Sequence, residues 1–558
     1  MSQSDQKNES SPANSGPLRK ERASISPAAS DPSALTLKDL LLAPELAFDQ
    51  VASLLTPFGF ETIQKADMNL QLIADEPRAR TLFAESLEPF LAGLGRSPEP
   101  DRGLNDFERF TRATFSKTQL LSYLRDDPVL AERAAAIFGG SPFLADILIR
   151  NPEYFYWVFD AAVLKPKRTK REIGRDLTRA LRLRKTKEDR FDALRIFKRK
   201  EILRIGIRDL LRITPVETIL EELSHLACVL IQKADEISDQ ALRRRYGPPL
   251  FRDRSAKRGR AGFVVIALGK LGGGELNFSS DVDLIYVYSS RAGKTAGRRG
   301  DPESRIPNAE YFRKRAQEIT AALNTATGQG SVYRVDLKLR PEGEKGLIAQ
   351  PLQGYRKYYA ARGETWERLS LLKAWPVGGD RALGRRFLKE AASFLYGKPS
   401  GSKELEEIKR VKGRIDEKME ASQQTARHVK LGRGGIREIE FLIQSMQLCL
   451  GRKTAALRER NSLRALRKLQ RHRALSLEEH DLLRNAYLFL RDVENKLQIV
   501  NDAQTHLLPS DPKALRACAI RLGYRDEAGE AASSRFMRDY QTHTDRVHSL
   551  FNQFFTMK

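Results

Sequence analysis

The sequence predicts an α+β fold, in which one mixed unit of strands and helices lies between mainly helical regions. Apolar residues recur at helical spacing through the first part of the chain. Short unbroken apolar runs typical of buried strands follow after residue 260, and helical spacing returns from about residue 402. We therefore expect a helical N-terminal region over 36–250, an α/β domain over 251–400 and a C-terminal helical bundle over 401–558.

The composition fits a large globular chain. Its 558 residues, 41% of them hydrophobic, correspond to about three or four structural units and exclude a small disulfide-stapled scaffold. Residues 1–35 are rich in Ser, Pro and Ala and are predicted to form a disordered tail. The 3 cysteines lack metal-ligand spacing, and no apolar run approaches the roughly 20 residues of a membrane helix. These features favour a cytoplasmic protein that makes no membrane contact.

The net charge of +25 indicates an anionic partner. Residues 165–200 hold 16 Lys or Arg against 5 Asp or Glu, a large share of the surplus. Leu177, Leu181 and Leu194 lie among these charges, which predicts an amphipathic helix pair with a basic face. That face is either simply solvated or a docking surface for an anion, and the sequence leaves both open.

The α/β domain is predicted from three apolar segments. Residues 263–268 and 282–288 are β-branched runs joined by a glycine-rich turn, which indicates two neighbouring buried strands. A helix is expected over 311–323. Residues 332–339 alternate between apolar and polar side chains, which predicts a third, half-buried strand.

Three aspartates mark the candidate catalytic and metal site. Asp281 and Asp283 are spaced i, i+2 at the start of a strand and so point to one face, and Asp336 lies in the third strand. Convergent carboxylates are what two-metal phosphoryl transfer with Mg²⁺ requires. The alternative is turn chemistry at a strand end, which the adjoining Ser279 and Ser280 make the weaker explanation.

Nucleotide phosphates are expected beside these carboxylates. The amides and hydroxyls around Ser279 and Ser280 are suited to cradle phosphate, as an anion-binding nest does. Lys338 and Arg340 alternate with Asp336 along the predicted strand and could neutralise charge in the transition state; a salt-bridged strand face is the alternative. The glycine-rich turn completes the predicted nucleotide-binding set with Gly269, Lys270, Gly272 and Gly273.

Two further patterns have alternative explanations. Arg437, Glu440 and Gln444 form a polar stripe on a predicted helix, which is either exposed to solvent or faces a cleft. Trp366 and Trp375 favour core packing over stacking on a base.

Residues 268–288 together with 335–343 resemble the nucleotidyltransferase domain of glutamate-ammonia-ligase (glutamine synthetase) adenylyltransferases. The resemblance continues at residues 358–359, 366–368, 372–374 and 430–441. It extends outward to residues 137–144, 150–152, 491–498 and 504–509. Most of the chain beyond residue 100 is covered.

The resemblance implies a polymerase-beta-like nucleotidyltransferase domain followed by a helical domain. It implies Mg²⁺-dependent transfer of AMP from ATP to a tyrosine of glutamine synthetase, or removal of that AMP by phosphate, which yields ADP. Full-length members carry two copies of the unit and respond to the PII regulatory protein. This chain holds one copy, and the sequence of its motifs resembles that of the N-terminal, AMP-removing copy. Glutamine synthetase and PII are thus the implied partners, and nucleic acid is not favoured.

Two positions depart from the family pattern, which has a basic residue where Gly274 stands and an arginine where Trp375 stands. Two other functions remain as alternatives. One is nucleotide addition to an RNA end, suggested by the charge, and the other is a catalytically reduced binder of glutamine synthetase or PII.

Overall fold

The computed structural model describes residues 35–252, 258–298, 301–397, 402–421 and 424–556. The predicted α+β class is confirmed, and helix predominates throughout. The tail predicted over 1–35 lies outside the described residues except for Leu35.

The N-terminal region is built from helices that pack on one another. They are α1 (Asp39–Leu42), α2 (Phe48–Leu55), α3 (Ile63–Ile73), α4 (Pro77–Gly95), α5 (Pro100–Ala113), α6 (Lys117–Asp126), α7 (Pro128–Gly140), α8 (Pro142–Arg150), α9 (Tyr154–Phe159), α10 (Ala161–Leu164), α11 (Lys170–Arg182), α12 (Lys187–Leu210) and α13 (Val216–Tyr246). The predicted basic helix pair is therefore present as α11 and α12. A capping box of Thr169 and Glu172 starts α11, and the Thr186 side chain caps α12.

The strands follow α13. They are β1 (Leu250–Arg252), β2 (Arg258–Arg260), β3 (Phe263–Ala267), β4 (Val282–Tyr288), β5 (Val335–Asp336), β6 (Ala349–Pro351) and β7 (Trp375–Gly379). The first two form a small hairpin, and the main sheet has the order β5-β4-β3-β7. β3 runs antiparallel to β4 and β7, whereas β5 and β6 pair in parallel with successive parts of β4.

The main sheet separates two apolar cores. Val265 of β3 and Tyr286 of β4 belong to the core shared with the N-terminal helices, whereas Val264 and Ile285 belong to the core shared with the C-terminal helices. Successive side chains of a strand point to opposite faces. Both faces are covered, and for this reason β3 and β4 read as unbroken apolar runs in the sequence.

Short and long helices complete the α/β part and the C-terminal part. They are α14 (Gly269–Gly273), α15 (Asn308–Asn324), α16 (Leu352–Arg362), α17 (Thr365–Leu371), α18 (Arg381–Tyr396), α19 (Ser402–Ala421), α20 (Ile436–Leu450), α21 (Ser462–Arg471), α22 (Leu477–Gln498), α23 (Pro512–Arg521) and α24 (Ala532–Thr556). The helix predicted at 311–323 and the helical C-terminal region are confirmed. Across the described part of the chain, none of these helices has the length and apolarity needed to span a membrane.

The strand predicted over 332–339 is wrong in extent, because only Val335 and Asp336 pair with β4. Asp336 Oδ1 accepts the backbone N–H of Lys338 at 2.7 Å, which turns the chain immediately after the strand. The Arg340 guanidinium then donates to the carbonyl oxygens of Leu337, Glu344 and Gly346 and holds the loop in place. Lys338 and Arg340 consequently do not share a strand face with Asp336.

Candidate active site

The glycine turn after β3 brings the backbone against the carboxylates. Gly269 has φ +53°, and a Cβ at this position would overlap a carboxylate oxygen of Asp283. Only glycine satisfies both the left-handed conformation and the close approach. A Cβ on Gly272 would overlap the carbonyl oxygen of Lys373, so this second glycine permits close packing of the turn against the residues that lead into β7.

Parallel pairing of β4 with β5 places Asp283 beside Asp336, and Asp281 lies one residue before β4. Burial raises the pKa of Asp283 to about 6, and the neighbouring charges of Asp336 and Asp281 act in the same direction. Asp283 and Asp336 are therefore neighbours at one end of the sheet, and Asp281 lines the same cleft.

Asp281 is already engaged by other side chains. Arg334 Nε donates to its Oδ1 at 2.7 Å, and Gln504 Nε2 donates to its Oδ2 at 3.0 Å. Within the described ranges, no group of three or more acidic, His or Cys side chains is arranged to hold a metal ion. Asp283 and Asp336 supply adjacent hard oxygen donors of the type that Mg²⁺ prefers. The donor chemistry thus fits a divalent cation at this pair, whereas Asp281 is turned toward Arg334.

The aspartates line a cleft of about 370 Å³ between the sheet and the C-terminal helices. Three predicted nucleotide-binding residues also line it: Gly269, Lys270 and Ser280. Lys270 Nζ lies 2.6 Å from a carboxylate oxygen of Glu494 and 3.0 Å from Asn277 Oδ1. Burial, acting against the attraction of Glu494, lowers the pKa of Lys270 to about 7.

The other predicted nucleotide-binding residues do not line the cleft. The Ser279 hydroxyl donates to the carbonyl oxygen of Asp502, and its amide donates to Gln498 Oε1, so both groups are already bonded. The Gly272 carbonyl accepts from Arg460, and the Gly273 carbonyl accepts from Asn461. The backbone of both glycines is therefore held by these hydrogen bonds.

Lys338 and Arg340 are also directed elsewhere. The Lys338 side chain is 67% exposed and lies 3.5 Å from Glu344, and Arg340 binds carbonyl groups of its own loop. Their predicted place beside Asp336 depended on a longer strand, which the turn at Asp336 prevents.

Segments outside the strands and the glycine turn also contribute cleft residues, to which the local sequence patterns assigned no role. The basic and amide groups among them are Lys373, Lys430, Gln498, Gln504 and His506. The segments 372–374, 430–441, 491–498 and 504–509 that carry the family resemblance contain every one of these side chains. That resemblance was the one available signal for them, because they lie far from the aspartates along the chain.

The polar stripe of α20 faces the cleft. Arg437, Glu440 and Gln444 all line it, and the side chains of Glu440 and Gln444 are buried, so the solvent-exposed alternative is wrong. Gln444 Oε1 and Gln498 Nε2 are buried and have no hydrogen-bond partner within the described residues. One acceptor and one donor at the cleft thus remain available to a ligand.

The two tryptophans have different environments. Trp366 is partly exposed and lines the cleft. Trp375 is 42% exposed, and the guanidinium of Arg460 lies 4.3 Å from the centre of its ring. Core packing was therefore the wrong prediction for Trp375, whose ring stacks under a cation instead.

A buried ion network that includes the cleft residues Lys373 and Glu440 joins the α/β part to the C-terminal helices. Lys373 Nζ lies 3.0 Å from Glu275 and 2.6 Å from Glu440, and the Tyr487 hydroxyl donates to Glu275 at 3.0 Å. Although burial opposes it, the charge of Lys373 lowers the pKa of Glu440 to about 2. These groups fix α20 and α22 relative to the glycine turn.

Adjacent strand carboxylates, a tight glycine turn and surrounding cations are features common to sites that transfer phosphoryl or nucleotidyl groups. Residues 131–390 match the family model of glutamate-ammonia ligase adenylyltransferase, and residues 405–555 match that of GlnD PII-uridylyltransferase. The chain thus contains a segment similar to the glutamate-ammonia ligase adenylyltransferase domain, which confirms the resemblance found in the sequence.

Curated relatives agree with this assignment. A protein from Xanthomonas campestris pv. campestris (strain B100) is 39% identical over 336 residues, which are 59% of this chain and 34% of that protein. A protein from Thioalkalivibrio sulfidiphilus is 33% identical over 424 residues, 76% of this chain and 42% of that protein. Both bear the name bifunctional glutamine synthetase adenylyltransferase/adenylyl-removing enzyme. The chain spans roughly a third to two fifths of the length of these relatives.

Proposed function

We propose that this chain is a Mg²⁺-dependent nucleotidyltransferase that acts on a tyrosine of glutamine synthetase, and that it removes AMP, attaches AMP, or does both. The observation that carries the proposal is the adjacent pair Asp283 and Asp336 beside the glycine turn of the matched domain, with Asp281 lining the same cleft. The proposed domain has a polymerase-beta-like fold and occupies residues 251–400.

The resemblance of the motifs to the AMP-removing copy favours phosphorolysis. In this direction an oxygen of inorganic phosphate attacks the phosphorus of the AMP group, and the bond from that phosphorus to the tyrosine oxygen breaks. ADP leaves, and the tyrosine oxygen takes up a proton. In the opposite direction the tyrosine oxygen attacks the α-phosphorus of ATP, and pyrophosphate leaves.

The charged and amide side chains of the cleft named here have proposed roles. Asp283 and Asp336 would hold Mg²⁺, with Asp281 joining them once it leaves Arg334; the bound ion would screen negative charge on the phosphates. Lys430 and Arg437 line the same cleft and would neutralise charge on the reacting phosphate groups. The amide groups of Gln444 and Gln498 would accept from and donate to the nucleotide.

The test uses two assays of the full chain with Mg²⁺. Adenylylated glutamine synthetase is incubated with phosphate, and release of ADP is measured. Unmodified glutamine synthetase is incubated with labelled ATP, and incorporation of AMP is measured. We expect turnover in at least one assay. Asp283→Asn should reduce it by roughly a hundredfold or more, since the variant lacks a charged ligand at the reacting centre. The exposed Asp545→Asn serves as the matched control.

The outcomes separate the alternatives. No turnover in either direction, together with binding of glutamine synthetase or PII by calorimetry, would instead identify a catalytically reduced binder. Label that enters RNA and not protein would identify an RNA-end nucleotidyltransferase. Equal turnover by Asp283→Asn and the unaltered chain would contradict the assignment of the active site.

A further inference from the structure

A second positively charged concavity lies away from the cleft, between α11 and α13. Its volume is about 820 Å³, and α11 contributes five cations to its wall: Lys170, Arg171, Arg175, Arg179 and Arg182. Lys233 of α13 and Arg381 at the start of α18 face the same space. No described residue that lines this groove is acidic. We refer to it as the α11 groove.

Lys233 of the α11 groove pairs with Glu236 at 2.7 Å, whereas the other cations of the groove have no close carboxylate partner among the described residues. Lys170, Arg171, Arg182 and Arg381 form no ion pair with a carboxylate of the described residues, and Arg175 and Arg179 approach Asp176 no closer than 3.8 Å. Arg171, Arg175, Arg179, Arg182 and Arg381 are also exposed. Unpaired like charges held in one concavity repel one another and concentrate anions.

Arginines with a structural role in the same region have close carboxylate partners. Arg204 and Arg208 are fully buried, and both lie within 3.3 Å of carboxylate oxygens of Glu222. Arg168 is held by Glu201 and Asp176. The chain thus supplies a carboxylate to each arginine that it buries here. The arginines of the α11 groove have no carboxylate closer than 3.8 Å among the described residues, as expected of a surface that binds a ligand.

The fold of α11 explains why the cations are presented together. Ile173, Leu177 and Leu181 are buried against the core, so the opposite edge of the helix faces outward. Arg171, Arg175 and Arg179 succeed one another at intervals of four residues along that edge, about 6 Å apart. From Arg171 to Arg179 this row extends over about 12 Å.

We propose that the α11 groove docks an acidic polypeptide segment of a partner protein. Glutamates spaced i, i+4 on a helix repeat every 6 Å or so, which matches the arginine row, and each carboxylate can accept two hydrogen bonds from a guanidinium. The floor formed by Gly174, Thr178 and Val229 is small and partly apolar, and accommodates the methylene groups of such a helix.

Other anions fit the groove less well. Sites for single-stranded nucleic acid combine basic grooves with aromatic side chains on which bases stack, and the described lining contains no aromatic residue. A single phosphate would contact two or three of the cations and leave the rest of the groove unused. The proposal does not depend on the catalytic activity of the cleft.

Fluorescence anisotropy of the full chain tests the proposal with a labelled helical peptide about 14 residues long, which carries glutamates at i, i+4 spacing. We expect binding that salt weakens, since exposed charges are screened within about 8 Å at physiological ionic strength. The triple variant R171E/R175E/R179E should weaken binding at least roughly tenfold, because attraction at three positions becomes repulsion. It retains Ile173, Leu177 and Leu181, and circular dichroism checks that α11 still folds.

The matched control, K65E/R78E/R133E, changes the net charge equally at exposed positions outside the groove. It should bind within about twofold of the unaltered chain. A milder pair, R175Q/R179Q, should weaken binding several-fold, which preserves the test if the charge reversal disturbs folding.

Several results would overturn the proposal. They are absence of peptide binding at low salt, equal weakening in the control variant, and tighter binding of an oligouridine RNA that R171E/R175E/R179E abolishes. Binding of tripolyphosphate with higher affinity than the peptide would likewise replace the polypeptide with a small phosphate ligand.

Discussion

Two pairs of carboxylates in and beside the cleft have opposite environments. Asp283 and Asp336 stand next to each other on paired strands, and their mutual repulsion adds to the effect of burial in raising the pKa of Asp283 to about 6. Glu275 and Glu440 are buried around the ammonium group of Lys373, at 3.0 and 2.6 Å. The glycine turn approaches both sets, with Gly269 close to Asp283 and Gly273 close to Glu275.

The presence or absence of a buried cation partner distinguishes the structural carboxylates from the proposed catalytic ones. A carboxylate that is buried and paired contributes to folding only while its partner is present, because the desolvated charge is otherwise uncompensated. Two carboxylates held together without a cation between them store repulsion that a bound cation relieves. The paired set therefore holds the C-terminal helices to the domain, and the repelling set is prepared for a ligand.

The largest effect on stability is expected for Lys373→Met. The substitution leaves Glu275 and Glu440 buried without their shared cation, and we expect the free energy of unfolding to fall by about 3–5 kcal/mol. Chemical denaturation at neutral pH measures the change. Asp283→Asn removes one of two carboxylates that repel each other, so it should leave the unfolding midpoint unchanged or raise it.

A double variant checks the cause of this loss. In Lys373→Met with Glu440→Gln, one of the two unpaired charges is removed, so part of the lost stability should return. If Asp283→Asn destabilises the chain as much as Lys373→Met does, the distinction between the two carboxylate sets is wrong.

A smaller effect on stability is expected at His428, which stacks on His506 with ring centres 5.7 Å apart. Burial, with a contribution from His506, lowers the pKa of His428 to about 4. Its Nδ1 accepts the backbone N–H of Leu431 at 2.9 Å and must be unprotonated to do so. The folded state thus favours neutral His428.

The direction of the pH effect follows from this shift. An unfolded histidine titrates near pH 6.5, so the unfolded chain binds more protons than the folded one between about pH 6.5 and 4. The contribution of His428 is fully present above this window and is lost as the pH falls through it. Unfolding measured at pH 7 and pH 5 should show that His428→Asn, which keeps an acceptor for Leu431, loses about 1–2 kcal/mol less on acidification than the unaltered chain.

The exposed His472→Asn provides the control for that measurement. Its loss of stability between pH 7 and pH 5 should equal that of the unaltered chain. An unchanged pH dependence in His428→Asn would show that this imidazole is protonated equally in the folded and unfolded states.

Local patterns predicted β3 and β4, because strands covered on both faces leave unbroken apolar runs. The same patterns could not reveal Lys373 as the partner of Glu275, 98 residues away, or of Glu440, 67 residues away. Ser279 was misjudged for a similar reason, since Gln498 and Asp502 reach it from the C-terminal region. Pairings between distant segments depend on the assembled fold.

The smallest effect is expected where alternation in the sequence was misleading. Lys338 follows the pattern of a strand, yet the bond from its backbone N–H to Asp336 turns the chain, and its side chain lies 3.5 Å from Glu344 in solvent. An ion pair of this kind contributes between about 0 and 1 kcal/mol. Lys338→Ala should therefore change the free energy of unfolding by less than about 0.5 kcal/mol and turnover by less than about threefold. A hundredfold loss of turnover with unchanged stability would show instead that Lys338 reaches the reacting phosphates, and that the turn after Asp336 rearranges when substrate binds.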